Sequence, residues 1–85
     1  MTTYRFSVAI MPREGILDPQ GRAVEAALPQ LGAESVHDVR VGRRIELDVD
    51  AADPAAAREV VEKLAADFLA NPLIERWQIE GGEQA

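Results

Sequence analysis

Arg43-Arg44-Ile45-Glu46-Leu47-Asp48-Val49-Asp50-Ala51-Ala52-Asp53-Pro54 is the stretch from which the fold can be read. From Arg43 to Asp50 it alternates without a break: Ile45, Leu47 and Val49 fall on one side, and Arg44, Glu46, Asp48 and Asp50 on the other. A period of two predicts a strand with one buried and one solvated face. Asp53-Pro54 then predicts a helix start, with Asp as cap and Pro at the first helical position, where its missing N–H costs nothing. The helix runs to Ala70, with Ala57, Val60, Val61, Leu64, Phe68 and Leu69 as its apolar stripe. Asn71-Pro72 stops it, and Ile74 to Glu80, containing Trp77 and Ile79, reads as a strand.

The same grammar recurs upstream. Phe6, Val8 and Ile10 alternate with Arg5, Ser7, Ala9 and Met11, predicting a strand from Tyr4 to Met11 that Pro12 ends. Asp18-Pro19 repeats the helix start, and Val24, Ala27, Leu28 and Leu31 fall at helical spacing before Gly32. Pro29 cannot donate to the carbonyl of Glu25, so the last turn should be kinked or displaced. Ser35 to Val41 reads as a further strand, with a reversal at Gly42. The order is βαββαβ. It predicts an α+β, ferredoxin-like two-layer sandwich: an antiparallel sheet with both helices on one face. The expectation is one domain over residues 1–85, ordered over about 4–80, with 81–85 as a tail.

Composition narrows the chemistry. Eighty-five residues support one small core, burying roughly 60–65% of the unfolded surface. There is no cysteine and only one histidine, His37, so disulfides, thiolate metal sites and a histidine-paired relay within the chain are excluded. A net charge of −6 argues against nucleic acid as a partner, which would need a clustered cationic face. No apolar run approaches the roughly 20 residues of a membrane span, and no signal peptide is visible at the amino terminus, so a soluble, cytoplasmic protein is expected.

No catalytic constellation emerges. Asp48, Asp50 and Asp53 lack the Gly and terminal Glu of a calcium loop, and His37 has no dyad partner near it. No metal site is expected. Arg40, Gly42, Arg43 and Arg44 form the one dense cationic cluster. It reads either as a dock for an anion or carboxylate, or as a hairpin pairing with acidic neighbours. The loop from Met11 to Gly21 carries Ile16 and Leu17, which are either tucked under the helix or presented to another protein. Ala9, Met11 and Val36 would leave the second sheet face too apolar for water, so a homo-oligomer is expected, with strand exchange as one route.

The residues also resemble a known family. Pro12-Arg13-Glu14-Gly15-Ile16-Leu17-Asp18-Pro19-Gln20-Gly21, followed by Leu31-Gly32, is similar to the opening signature of PurS, the small subunit of phosphoribosylformylglycinamidine synthase. Val39-Arg40-Val41-Gly42-Arg43-Arg44-Ile45-Glu46-Leu47 and Leu69-Ala70-Asn71-Pro72-Leu73-Ile74-Glu75 resemble its central and later segments. Arg13 and Arg43 stand where the family usually has Lys, and Ile16 and Leu73 where it usually has Val; Pro29 is a further departure.

The resemblance implies a non-catalytic subunit of an ATP- and glutamine-dependent ligase of purine biosynthesis. ATP, Mg and glutamine would be used by the other subunits, a large PurL-like synthetase and a PurQ-like glutaminase. This chain, as a dimer or dimer of dimers, would hold them together. The expected contacts are Arg13, Ile16, Leu17, Asp18, Gln20 and Gly21 in the loop, Arg40, Gly42, Arg43 and Arg44 in the turn, and the Asn71-Pro72 corner, which could equally be a plain helix stop. The homodimer face would include Ala9, Met11 and Val36. The competing reading is a stand-alone dimeric domain of the same fold that senses a small ligand at its interface, with the Gly15 and Gly42 loops lining the site.

Overall fold

Tyr4, Phe6, Val8 and Ile10 are buried on one face of β1 (Thr2–Pro12), as their alternation dictates. In the computed structural model, which describes residues 1–85, β1 is the middle strand. It pairs antiparallel with β2 (Arg43–Ala51) on one side and with β3 (Glu75–Gln84) on the other. Ile45, Leu47 and Val49 of β2, with Trp77 and Ile79 of β3, line the same face and are half-buried.

Both Asp-Pro pairs start helices. The carboxylate of Asp18 accepts from the Gly21 N–H at 3.0 Å to open α1 (Pro19–Ala27), and that of Asp53 accepts from Ala56 N–H at 2.8 Å to open α2 (Pro54–Leu64). Helix α2 covers the sheet through Ala57 and Val61, followed by Ala65, all fully buried. Beyond Leu64 the chain widens into a π-helical turn (Ala65–Leu69) that ends at Ala70. Val60 and Phe68, expected in the apolar stripe, face solvent. Ala57, Val61 and Ala65 make the helix contact, with Ala56 and Leu69 packed against the same core. Pro29 displaces the end of α1 as expected: Leu28 caps the helix and Pro29–Leu31 forms a single 3-10 turn. No helix is long and apolar enough to cross a membrane.

Three expectations need correction. Residues 35–41 form no strand, so the sheet has three strands in the order β2-β1-β3. The chain does not reverse at Gly42, whose φ is not positive and whose Cα lies so close to the Ile10 carbonyl and the Met11 sulfur that a Cβ would collide with both. The expected tail is strand: β3 runs to Gln84, and the Ala85 N–H donates to the Thr3 carbonyl at 2.9 Å. It gets there through a bulge. Phe6 pairs with Gly81 and Arg5 with Glu83, leaving Gly82 as the extra residue, and both glycines have positive φ.

Helix α1 contributes nothing to the central core; Gly21 is its only buried residue. The molecule is long, 52 × 26 × 13 Å, and its radius of gyration of 16.6 Å exceeds the roughly 12 Å of a compact chain this size.

Candidate functional site

The topology brings three segments together at one end of the sheet. Because both outer strands run antiparallel to β1, the exit of β1 at Pro12 lies beside the entries of β2 at Arg43 and β3 at Glu75. The loop after β1, the segment before β2 and the corner before β3 therefore meet. These are the three stretches singled out from the sequence.

Arg40 ties the first two. Its Nη2 donates to the carbonyls of Pro12 at 3.0 Å and Arg13 at 2.8 Å, and its Nη1 lies 3.9 Å from the Glu14 carboxylate. Asp18 ties the helix start to the same segment. Besides capping α1, its carboxylate accepts from the Val41 N–H at 2.9 Å. The N–H of Val41 first, that of Gly21 second, and then the charges of Arg40 and Arg22 hold this buried carboxyl below its ordinary range, against the opposing effect of burial. Gly21 is required at the crossing, since a Cβ there would strike the Asp18 carboxylate and the Val39 carbonyl. Arg22 donates to the Val39 carbonyl at 2.7 Å, and Glu25 accepts from the Val39 N–H at 3.3 Å.

Arg13 and Arg43 attach the third segment. The Arg13 N–H donates to the Ile74 carbonyl and its Nε to the Pro72 carbonyl, both at 2.9 Å. Arg43 forks onto Glu75 at 2.6 Å and 3.2 Å and also reaches the Leu69 carbonyl. Glu75 in turn accepts from the Asn71 N–H at 2.7 Å. Arg43 chiefly, with the Asn71 N–H, keeps the Glu75 carboxyl below its usual range. The Asn71 side chain accepts from the Leu73 N–H at 3.1 Å, closing the corner on itself. Asn71-Pro72 thus both stops the helix and shapes an exposed corner.

Around this frame lie exposed side chains: Gln20, Pro72, Leu17 at 78% and Leu73 at 83% of full exposure, with Ile16 half-buried. A shallow cavity of about 370 Å³ opens beside the loop, where Glu14, Asp18 and Asp38 face Arg22 and Arg40. No nucleophile stands against a base here, and no three acidic or histidine side chains are placed to hold a metal ion. The arrangement can present a shaped surface.

Two placements differ from expectation. Arg44 leaves the cluster for the solvated sheet face, where it donates to the Ser7 hydroxyl at 2.9 Å and lies 3.4 Å from Glu46. Ala9 and Met11 share that face, but Val36 does not, since it belongs to the irregular stretch before β2. The face is ionic rather than apolar: Arg5 pairs with Asp48 at 3.0 Å, and Thr3 bonds Asp50. The ties made by Arg22, Glu25 and Glu75 were not anticipated. Glu75, four residues past Asn71, carried the one local hint.

The PurS family, described as phosphoribosylformylglycinamidine (FGAM) synthase, matches residues 5–83. A Mycobacterium leprae protein named phosphoribosylformylglycinamidine synthase subunit PurS is 44% identical over 75 residues, covering 88% of this chain and 91% of its own. Among solved structures, the chain is similar to one in PurLQS from Thermotoga maritima, with a TM-score of 0.87 at 28% identity, covering 95% of this chain and 99% of that one. It is also similar to Methanocaldococcus jannaschii PurS, described as one of the subunits of formylglycinamide ribonucleotide amidotransferase in the purine biosynthetic pathway. There the TM-score is 0.77 at 31% identity, over 92% and 94% of the two chains.

Proposed function

The chain belongs to the PurS family of phosphoribosylformylglycinamidine synthase subunits, and on that footing we propose that it acts in this enzyme of purine biosynthesis by bridging the synthetase and glutaminase subunits. The enzyme is a ligase that takes its nitrogen from glutamine. ATP, Mg and glutamine are handled by the other subunits, and this chain supplies no catalytic residue. Its setting is the cytoplasm, and it works as one domain.

The observation that carries the reading is the convergence of the Arg13–Gly21 loop, the Arg40–Arg43 segment and the Asn71-Pro72 corner at one end of the sheet, tied by backbone-directed arginines and lacking any relay. Ammonia released into water would be protonated and diluted, so two active sites that exchange it must stay coupled. A third subunit achieves that by favouring one docked arrangement. The proposed contacts are Arg13, Ile16, Leu17, Asp18, Gln20, Gly21, Arg40, Gly42, Arg43, Asn71 and Pro72.

The elongated shape supports self-association. The accessible surface is 5927 Å², against about 5,000 Å² for a folded monomer of 9.3 kDa, a surplus of about 900 Å². A homodimer or dimer of dimers would cover it.

The test combines this protein with the synthetase and glutaminase subunits, with and without ADP and glutamine. Sedimentation reports assembly, and parallel assays compare glutamine with free ammonia as nitrogen donor. Glutamine-driven turnover that requires this protein, beside ammonia-driven turnover that does not, is the expected result. Equal coupling of the two large subunits without it would refute the bridging role.

A further inference from the structure

The corner before β3 is more fully ordered than its own burial requires. Every backbone N–H from Ala70 to Glu75 has a partner within the chain. Ala70 donates to the Ala65 carbonyl at 3.1 Å, Asn71 to the Glu75 carboxylate and Leu73 to the Asn71 side chain; Ile74 and Glu75 both donate to the Asn71 carbonyl, at 3.1 Å and 2.8 Å. The carbonyls of Leu69, Pro72 and Ile74 accept from the Arg43 side chain, the Arg13 side chain and the Arg13 N–H. Fixing a backbone costs conformational entropy, which burial of side chains ordinarily offsets. Past Ala70 this corner buries almost none: Leu73 is 83% exposed, and Phe68, carried outward by the π-helical turn at its entrance, is 79% exposed.

The corner is also uncharged. No ionisable side chain falls between Phe68 and Ile74, in a chain that is 28% charged. Its flanking arginines, Arg13 and Arg43, spend hydrogen bonds on the corner's own backbone. Depletion of charge and exposure of large apolar side chains mark the centre of an interface, and prior ordering lowers the cost of forming one.

We propose that Leu73 is an anchor by which this chain seats in an apolar hollow of one of the larger subunits. The proposal rests on the bridging role above and adds to it a residue that burial, rather than charge, makes important. Arg13 and Arg43 bond the corner to the other two segments of the docking end, so a body that covers those segments meets Leu73 as well. With no charge on the corner to match, the complementary surface is an uncharged one.

The chain has no cysteine, so Leu73→Cys places a single thiol at the tip. Its alkylation, followed by the mass of this chain, is timed in the protein alone at several concentrations. It is then timed with the synthetase and glutaminase subunits, ADP and glutamine. The thiol should react freely in the protein alone and at least about tenfold more slowly in the complex. Leu73→Ala should raise the half-saturating concentration for glutamine-driven turnover by about tenfold or more, with the denaturant midpoint unchanged. A thiol equally reactive in the complex, or a Leu73→Ala titration that matches wild type, overturns the anchor and leaves bridging standing. Protection that grows with the concentration of this protein alone overturns it too, assigning Leu73 to a contact between copies. Failure of the wild-type chain to join the larger subunits overturns the bridging role and the anchor together.

Discussion

Replacing Arg40 by Ala should weaken assembly without unfolding the protein. Arg40 donates two charge-assisted hydrogen bonds, to the carbonyls of Pro12 and Arg13, the second of which also accepts from the Ile16 N–H at 3.2 Å. Its side chain is only 19% exposed, so solvent replaces the lost contacts imperfectly. A hydrogen bond to a charged group contributes roughly 1.5–3 kcal/mol. With partial compensation by water, about 2 kcal/mol of loop order is lost across the pair. Docking would have to restore that order, which raises the half-saturating concentration about 30-fold. The assay titrates the variant into the larger subunits and follows glutamine-dependent turnover, with far-UV circular dichroism and a denaturant midpoint as controls. The maximal rate should return at saturation, because the defect lies in assembly. Arg40→Lys keeps the charge, but its ammonium sits on a shorter stem than the single Nη2 that serves both carbonyls, so its shift should be smaller, about fivefold. An unchanged half-saturation for Arg40→Ala, or a maximal rate that never returns, would refute the reasoning.

Other perturbations read different parts of the structure. Phe6→Ala empties a site only 1% exposed in the core and should cost about 3–5 kcal/mol, measured by urea denaturation, a large share of the roughly 4–13 kcal/mol expected for 85 residues. Gly42→Ala forces a methyl against the Ile10 carbonyl and Met11 and should destabilise by about 1–3 kcal/mol; a melting temperature within a degree of wild type would contradict that packing. Asp53→Ala removes the cap of α2, worth about 1 kcal/mol by the same denaturation assay, with no effect on assembly once folded protein is matched. Acid should loosen the site from the inside. Asp18 and Glu75 both titrate lower folded than unfolded, so their stabilisation is complete above about pH 4–5 and is lost as pH falls through their depressed native values. A pH series of amide exchange at Gly21, Val41 and Asn71 should show protection vanishing in that direction; protection that rises on acidification would reverse the sign.

Legibility followed the range of the interaction. Strand alternation and the two Asp-Pro caps are local physics, and β1, β2 and both helix starts stand where that physics puts them. The three docking stretches were recognisable as segments, but their meeting was not, because it follows from both outer strands running antiparallel to β1. Residues 35–41 misled for a related reason. Their composition suits a strand, yet whether they pair depends on a reversal at Gly42, and a neighbour from β1 occupies the space that reversal would use. The π-helical turn rotated Phe68 outward, since a widened turn breaks the 3.6-residue count on which the stripe was drawn. Glu75 was passed over because its partner, Arg43, is distant in sequence.

The Gly81-Gly82 bulge acts as a phase reset. Up to Ile79, odd-numbered residues of β3 point at the core; had that count continued, Glu83 would project its carboxylate beneath the helix layer. The extra residue inverts the parity, so Glu83 instead stands opposite Arg5 on the wet side of the sheet. Flattening the bulge without shortening the chain, as a residue that shuns positive φ at Gly82 would favour, would therefore invert the end of the strand, driving an acid inward where Phe6 now lies against Gly82. The chain closes with a polar sequence that is kept in register as sheet by one deliberately miscounted residue.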